Sequence, residues 1–152
     1  MTTIAYSHKS RQIAVDGRIT SDSLIESDRY EKWRLVGDEV WFFSGTVSDI
    51  ERFIAYHKGE LIGAPDFQVC CSAFSVKDGV CFQLGLTAAG EPWKFSVSYD
   101  HAIGSGRDFA ITAMDLGMSA KNSVALASTR DTGTGGVISV FDLSTMSFAG
   151  DQ

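Results

Sequence analysis

The chemically suggestive residues begin at the start of the chain, MTTIAY, where Met1 is followed by Thr2 and Thr3. A small residue after an initiator methionine permits enzymatic removal of that methionine, which would leave Thr2 with a free α-amine. Such a threonine can be a catalytic unit by itself. Its hydroxyl is the nucleophile, and the amine, with an ordinary pKa of about 8, lies close enough to act as base. MT starts are common, so the feature also has an ordinary reading. Asp16 in AVDGRIT and Lys32 in YEKWRL change the balance. A buried carboxylate at the end of a strand, paired with a lysine, would hold the ammonium beside the threonine hydroxyl and favour the alkoxide as its proton leaves. Taken singly, these are equally a turn aspartate and a surface lysine; only the set points to catalysis. A retained Met1 would acylate the Thr2 nitrogen and remove the base.

Other candidate groups carry less. The stretch TRDTGTGGVISV, from Thr129 to Val140, sets three glycines beside an acid and fits a phosphate-cradling loop, a hairpin turn or the wall of an active site. GSGRDF contains two glycines of a dinucleotide-binding fingerprint but neither the third nor a following acid in a strand-helix-strand unit. His8, His57 and His101 are scattered without metal-ligand spacing,. Cys70, Cys71 and Cys81 are read as buried reduced thiols, Cys70 and Cys71 on opposite faces of one strand,. Burial disfavours a thiolate nucleophile. No cofactor is implied.

These residues need a scaffold. The chain has 152 residues, 44% of them hydrophobic, enough for one domain spanning 1–152 with a sizeable core. A net charge of -6 argues against nucleic acid and anionic membrane as partners. No apolar run approaches the about 20 residues that cross a bilayer, and the start has no signal-type apolar core; the reading is cytoplasmic. Thr3 to Tyr6 and Gln12 to Val15 suit a hairpin, followed by a polar stretch, RITSDSLIESDR, and by two strands in WRLVGDEVWFFSG. Ser48 and Glu51 form a capping box opening a helix whose apolar stripe is Ile50, Phe53, Ile54 and Leu61, ended by Gly63 and Pro65. FQVCCSAFSV, VCFQLGLTA and PWKFSVSY form an antiparallel meander across Asp-Gly and glycine turns. GSGRDFAITAMDLG is a helix with Phe109, Ala113 and Leu116 on one face and Gly117 as its stop. Ser119 caps a further helix through SAKNSVALAST, and GGVISVFDL is a last strand. This order describes stacked sheets covered by helices.

With six blocks in order, TTIAY, AVDGRIT, YEKWRL, FSGTVSDI, AIGSGRDFAITAMD and RDTGTGGVISV, the sequence resembles the proteasome β-subunit and HslV peptidase family over nearly its whole length. The resemblance implies an α+β fold, a four-layer α-β-β-α Ntn-hydrolase sandwich with two antiparallel sheets. It implies a threonine peptidase within a homo-oligomeric ring or other oligomer, acting on peptides or unfolded protein, with an ATP-dependent unfoldase as a partner. By the same resemblance Thr2 is the nucleophile and its amine the general base. Asp16 and Lys32 orient and activate it, and the amide of Gly45 is the oxyanion donor. Ser105, Asp131 and Thr134 form the hydrogen-bonding group around the amine, Thr134 standing where the family has a serine. Ile19, Tyr30, Phe43 and Val47 wall the pocket for the residue before the cut, small and uncharged enough to favour a small or medium apolar side chain. Thr20 and Thr46 flank an extended substrate through backbone pairing.

Two departures stand out. The family's second long helix is missing, because Gly63-Ala64-Pro65 leads directly into FQVCCSAF, which leaves one helical layer reduced to a single helix. The exposed sheet face then calls for a covering partner. The stretch from Thr2 to Asp16 is also a residue or two short. A catalytically silent, proteasome-like assembly or scaffold protein, such as a phage might encode, and a small-amide Ntn amidohydrolase are the alternative readings.

Overall fold

The first hairpin forms as β1 (Thr3–Ser7) and β2 (Gln12–Val15), with Ile4 opposite Val15 and Tyr6 opposite Ile13. Alternation along β1 sets the architecture, since successive strand side chains face opposite ways. Ile4 and Tyr6 enter a core shared with Phe42, Phe74 and Phe141, while Ala5 faces Ala110, Met114 and Val124. β1 is thus covered on both sides. In the computed structural model, which describes residues 1–150, two five-stranded sheets stack across that core. One has the order β10-β1-β2-β11-β12 and the other β5-β6-β7-β8-β9, both antiparallel throughout. The remaining strands of the first are β10 (His101–Gly104), β11 (Ser139–Asp142) and β12 (Ser147–Phe148); those of the second are β5 (Trp33–Val36), β6 (Glu39–Gly45), β7 (Cys71–Lys77), β8 (Val80–Leu86) and β9 (Pro92–Ser96). Helices α2 (Arg107–Asp115) and α3 (Ala120–Ser128) cover the first sheet, and α1 (Ile50–His57) covers the second. The fold is therefore the expected α+β sandwich of four layers.

Local chemistry explains the elements. Asp78 and Gly79 both have positive φ (49° and 76°), as a tight hairpin turn between β7 and β8 requires. Gly117, at φ +94°, ends α2 in the left-handed manner: its N–H donates to Met114 at 2.9 Å and that of Met118 to Ala113 at 3.1 Å,. Ser119 caps α3 by accepting the Asn122 N–H at 3.1 Å,. On the other outer face, Phe53 is fully buried against Trp41 and Phe43, and burying a side chain of that size contributes about 1.5–3 kcal/mol.

Several expectations need correction. The Ser48-Glu51 box does not form; Val47–Asp49 is a 3-10 turn and α1 begins after Asp49 with no side-chain cap. The Asp49 carboxylate instead accepts the Cys70 N–H at 2.9 Å and pairs with Arg52. Helix α1 stops at His57, because Gly59 is left-handed (φ +77°) and the Glu60 N–H turns back to Ala55. Leu61 therefore lies beyond the helix and is exposed. Strand β7 starts only at Cys71, and Phe67 and Cys70 are exposed. The reading of three buried thiols fails at Cys70; burial pushes the Cys71 thiol up to about 12 and raises that of Cys81 as well. Helix α2 buries Ala110, Ala113 and Met114 rather than Phe109 and Leu116. The face that packs on Ala5, Ala14 and Ala102 is the one carrying Ala110 and Met114, which turns Phe109 and Leu116 outward. The polar RITSDSLIESDR stretch contains a further hairpin, β3 (Ile19–Ser21) and β4 (Leu24–Ser27).

Candidate active site

Thr2 immediately precedes β1 and is almost fully buried. The neighbouring β10 can pass closely because Gly104, at φ +101°, has no side chain; a Cβ there would collide with the Thr2 carbonyl. Asp16 directly follows β2, and Lys32 directly precedes β5, so the two sheets deliver one partner each. Lys32 Nζ lies 2.5 Å from Thr2 Oγ1 and 2.9 Å from Asp16 Oδ1. Both charged side chains are buried, with relative exposures of 4% and 0%. Asp16 accepts further hydrogen bonds from the N–H groups of Thr3 (3.1 Å), Gly135 (2.9 Å) and Arg18 (3.3 Å). A buried carboxylate is stable only with such partners. Burial holds the Lys32 ammonium below the ordinary lysine pKa, against the opposing pull of Asp16.

A second polar group closes on the Thr2 nitrogen. Asp131 follows α3, where its N–H donates to Ala127 at 2.8 Å. Its Oδ2 lies 2.5 Å from Ser105 Oγ and 2.6 Å from Thr134 Oγ1, and its Oδ1 accepts the Gly133 N–H at 3.2 Å. Burial acts to raise the Asp131 carboxyl, but the bonds from Ser105, Thr134 and Gly133 outweigh it and hold its pKa below the usual value. Each hydroxyl has one proton. Ser105 and Thr134 give theirs to Asp131, so Ser105 accepts the Thr2 N–H at 3.2 Å and Thr134 accepts the Thr3 hydroxyl at 2.6 Å. Gly106 leaves the space that the Thr134 side chain needs, since a Cβ at 106 would meet both Thr3 Oγ1 and Thr134 Oγ1.

Met1 occupies the approach to this cluster. Its carbonyl oxygen is 2.5 Å from Thr2 Oγ1 and 3.1 Å from Lys32 Nζ. The Met1 ammonium is lowered, first by burial and then by the Lys32 charge.

In front of Thr2 lies a cleft of about 880 Å³ lined by every expected pocket residue: Ile19, Thr20, Tyr30, Phe43, Gly45, Thr46 and Val47. Three details differ from expectation. Phe43 belongs mainly to the core beneath α1. The cleft is neither small nor uncharged, because Asp22, Glu26 and Arg107 also line it. The Thr46 N–H, expected to pair with substrate, already donates to the Cys70 carbonyl at 2.7 Å. Gly45 has φ +128°, and a Cβ there would collide with that same carbonyl, so Cys70 packs directly against the turn at Gly45. Sequence reasoning missed the Thr3 hydroxyl, the Cys70 wall and the pairing of Arg18 with Asp28 at 2.7 Å. The Arg18 hydrogen bond holds the Asp28 carboxyl below its usual pKa. No group of three or more His, Cys, Asp or Glu residues suited to a metal occurs among the described residues.

The fold is a four-layer sandwich of two antiparallel sheets between helices, with Thr2 immediately before the interior strand β1. Solved structures of HslV and of BPH share this fold. The eukaryotic HslV from Trypanosoma brucei superposes with a TM-score of 0.68 at 17% identity, covering 91% of this chain and 97% of that one. BPH from Thiobacillus denitrificans gives 0.65 at 18% identity, covering 99% and 100%. The same protein in complex with epoxomicin gives 0.65 at 17%, covering 92% and 97%. No family model matches the chain, and no curated protein is similar to it in sequence.

Proposed function

We propose that residues 1–152 form a single domain acting as a threonine-type peptidase, with Thr2 as nucleophile once the residue before it is removed. The observation that carries this reading is Lys32 Nζ held between Thr2 Oγ1 at 2.5 Å and Asp16 at 2.9 Å while Ser105 reaches the Thr2 nitrogen. In the proposed reaction the freed Thr2 amine takes the Oγ1 proton as the oxygen attacks a peptide carbonyl. The Lys32 ammonium stabilises the developing alkoxide. The tetrahedral oxyanion is held by the Gly45 N–H; a donor of this kind contributes about 3 kcal/mol, or about a hundredfold in rate. The carbon–nitrogen bond then breaks, and the amine passes its proton to the leaving nitrogen. This leaves an ester on Thr2 Oγ1, and a water deprotonated by the same amine hydrolyses it to the acid. Ser105, Asp131 and Thr134 orient the amine.

The peptidase is proposed to work as a homo-oligomer on peptides or unfolded protein, with an ATP-dependent unfoldase as a possible partner. Ile62 is 90% and Phe67 73% exposed in the segment that replaces a second helix, and large exposed apolar groups mark contact surfaces. A second reading, a silent assembly protein, applies if Met1 is retained, because its carbonyl then engages both Thr2 Oγ1 and Lys32.

The test uses epoxomicin, the compound bound by BPH. Intact mass is measured for wild type and Thr2→Ala after exposure. The wild type is expected to lack Met1 and gain one inhibitor, and the variant to gain none. A wild type without Met1 that takes no inhibitor refutes the peptidase reading; complete retention of Met1 gives the lead to the assembly reading.

A further inference from the structure

A second cavity, of about 510 Å³, opens beside Met1 and Asp131. Met1 stands between it and the main cleft, for Met1, Thr20 and Asp22 line both. Met1 rests on Gly133, where any side chain would collide with its Cβ. The floor is therefore flat because residue 133 is glycine. Thr129, Arg130 and Thr132 form one wall, and Ser23 and Ile25 of the β3–β4 hairpin form the other. Most of the residues lining it are polar or charged.

The direction of the chemistry says what such a cavity is for, and this step rests on the peptidase reading. The proton taken from Thr2 Oγ1 resides on the Thr2 amine until it passes to the nitrogen of the breaking bond. The leaving amine must consequently depart beside the Thr2 nitrogen, where Met1 now lies. We propose that the second cavity receives the peptide segment C-terminal to the cleaved bond, entering over Gly133 after the residue preceding Thr2 has gone, and that Arg130 selects an acidic side chain there.

The charges around the cavity single out Arg130. Arg18 is committed to Asp28 through Nε at 2.7 Å and Nη2 at 3.2 Å. Asp131 faces Ser105, Thr134 and the Gly133 N–H. Asp22 sits on the opposite rim, at the β3–β4 turn with φ 54°. Arg130 is exposed and has no ion-pair partner among the described residues.

Two peptides identical before the cut, with Asp or Lys at the two positions after it, are given to wild type and to Arg130→Glu. Cleavage at the same bond is verified by product mass, and epoxomicin adduct formation is followed in parallel. The wild type is expected to cut the Asp peptide about two- to fivefold more efficiently, the range of an exposed ion pair, and the variant to reverse the order with an unchanged adduct rate. An equal preference in the two proteins overturns the proposal. So does a protein that forms the adduct at Thr2 yet cuts neither peptide, an outcome that leaves the nucleophile standing. Absence of both adduct and cleavage overturns the proposal together with the peptidase reading.

Discussion

Replacing Asp16 by Asn tests the electrostatic logic of the cluster without changing its shape. The carboxylate accepts four donors: the Thr3 N–H and Lys32 through Oδ1, and the Gly135 and Arg18 N–H groups through Oδ2. An amide puts an NH2 group against two of those donors and removes the charge facing a lysine that is 3% exposed. Removing one member of a buried pair costs about 3–5 kcal/mol. In a domain of this size each kcal/mol moves the unfolding midpoint by about 2–4 °C, so Asp16→Asn lowers it by about 6–20 °C at pH 7. The loss depends on pH in a definite direction. Burial already depresses the Lys32 pKa, and Asp16 is the largest influence raising it, so the variant depresses it further. The unfolded chain then binds more protons than the folded one between the folded and unfolded lysine values, and stability rises with pH through that interval. The deficit shrinks as the pH rises from 7 to 10, toward the ordinary lysine value,. Adding Lys32→Met removes the orphaned ammonium and restores more than half of the loss. Thermal unfolding of the wild type, both single variants and the double variant at the two pH values provides the assay. An Asp16→Asn midpoint within about 2 °C of wild type, or a deficit that grows with pH, refutes the reasoning.

Two further outcomes follow from the geometry. Gly45→Ala places a Cβ on the Cys70 carbonyl at φ +128°, a combination of collision and left-handed strain expected to lower stability by more than about 2 kcal/mol; denaturant unfolding measures it, and a loss below about 0.5 kcal/mol contradicts the backbone description at Gly45. Light scattering in solution should give a mass that is a multiple of the protomer, because Ile62 and Phe67 are left uncovered in the protomer; a stable monomer sinks the proposal that another copy covers this side.

Thr2, Asp16 and Lys32 were legible as a set in the sequence itself, and Ser105, Asp131 and Thr134 through the family resemblance. Thr2, Asp16, Lys32, Ser105 and Asp131 all lie within three residues of the end of a strand or helix, inside short blocks with their own turn or cap chemistry. The Asp78-Gly79 turn, the Gly117 stop and the Ser119 cap were legible for the same reason, since each is decided by backbone angles and hydrogen bonds over four or five residues. The Ser48 capping box failed although its spacing was right, because a competing long-range acceptor, Asp49 reaching the Cys70 N–H, organises that corner instead.

What the sequence determined by itself was the alternation of β1 and β2 and the order of most strands and helices, which are written in local periodicity and local turn chemistry; the full polar set was implied only by the family resemblance. Tertiary structure alone decided which face of α2 is buried, that Cys70 is a cleft wall rather than a core thiol, that Thr3 donates to Thr134, and that Met1 divides two cavities. Each of these depends on which distant segment arrives opposite a residue and how much room it leaves. A hydrophobic pattern states that a side chain can be covered; only the packing of Ala5, Ala14 and Ala102 against α2 states that Phe109 is not.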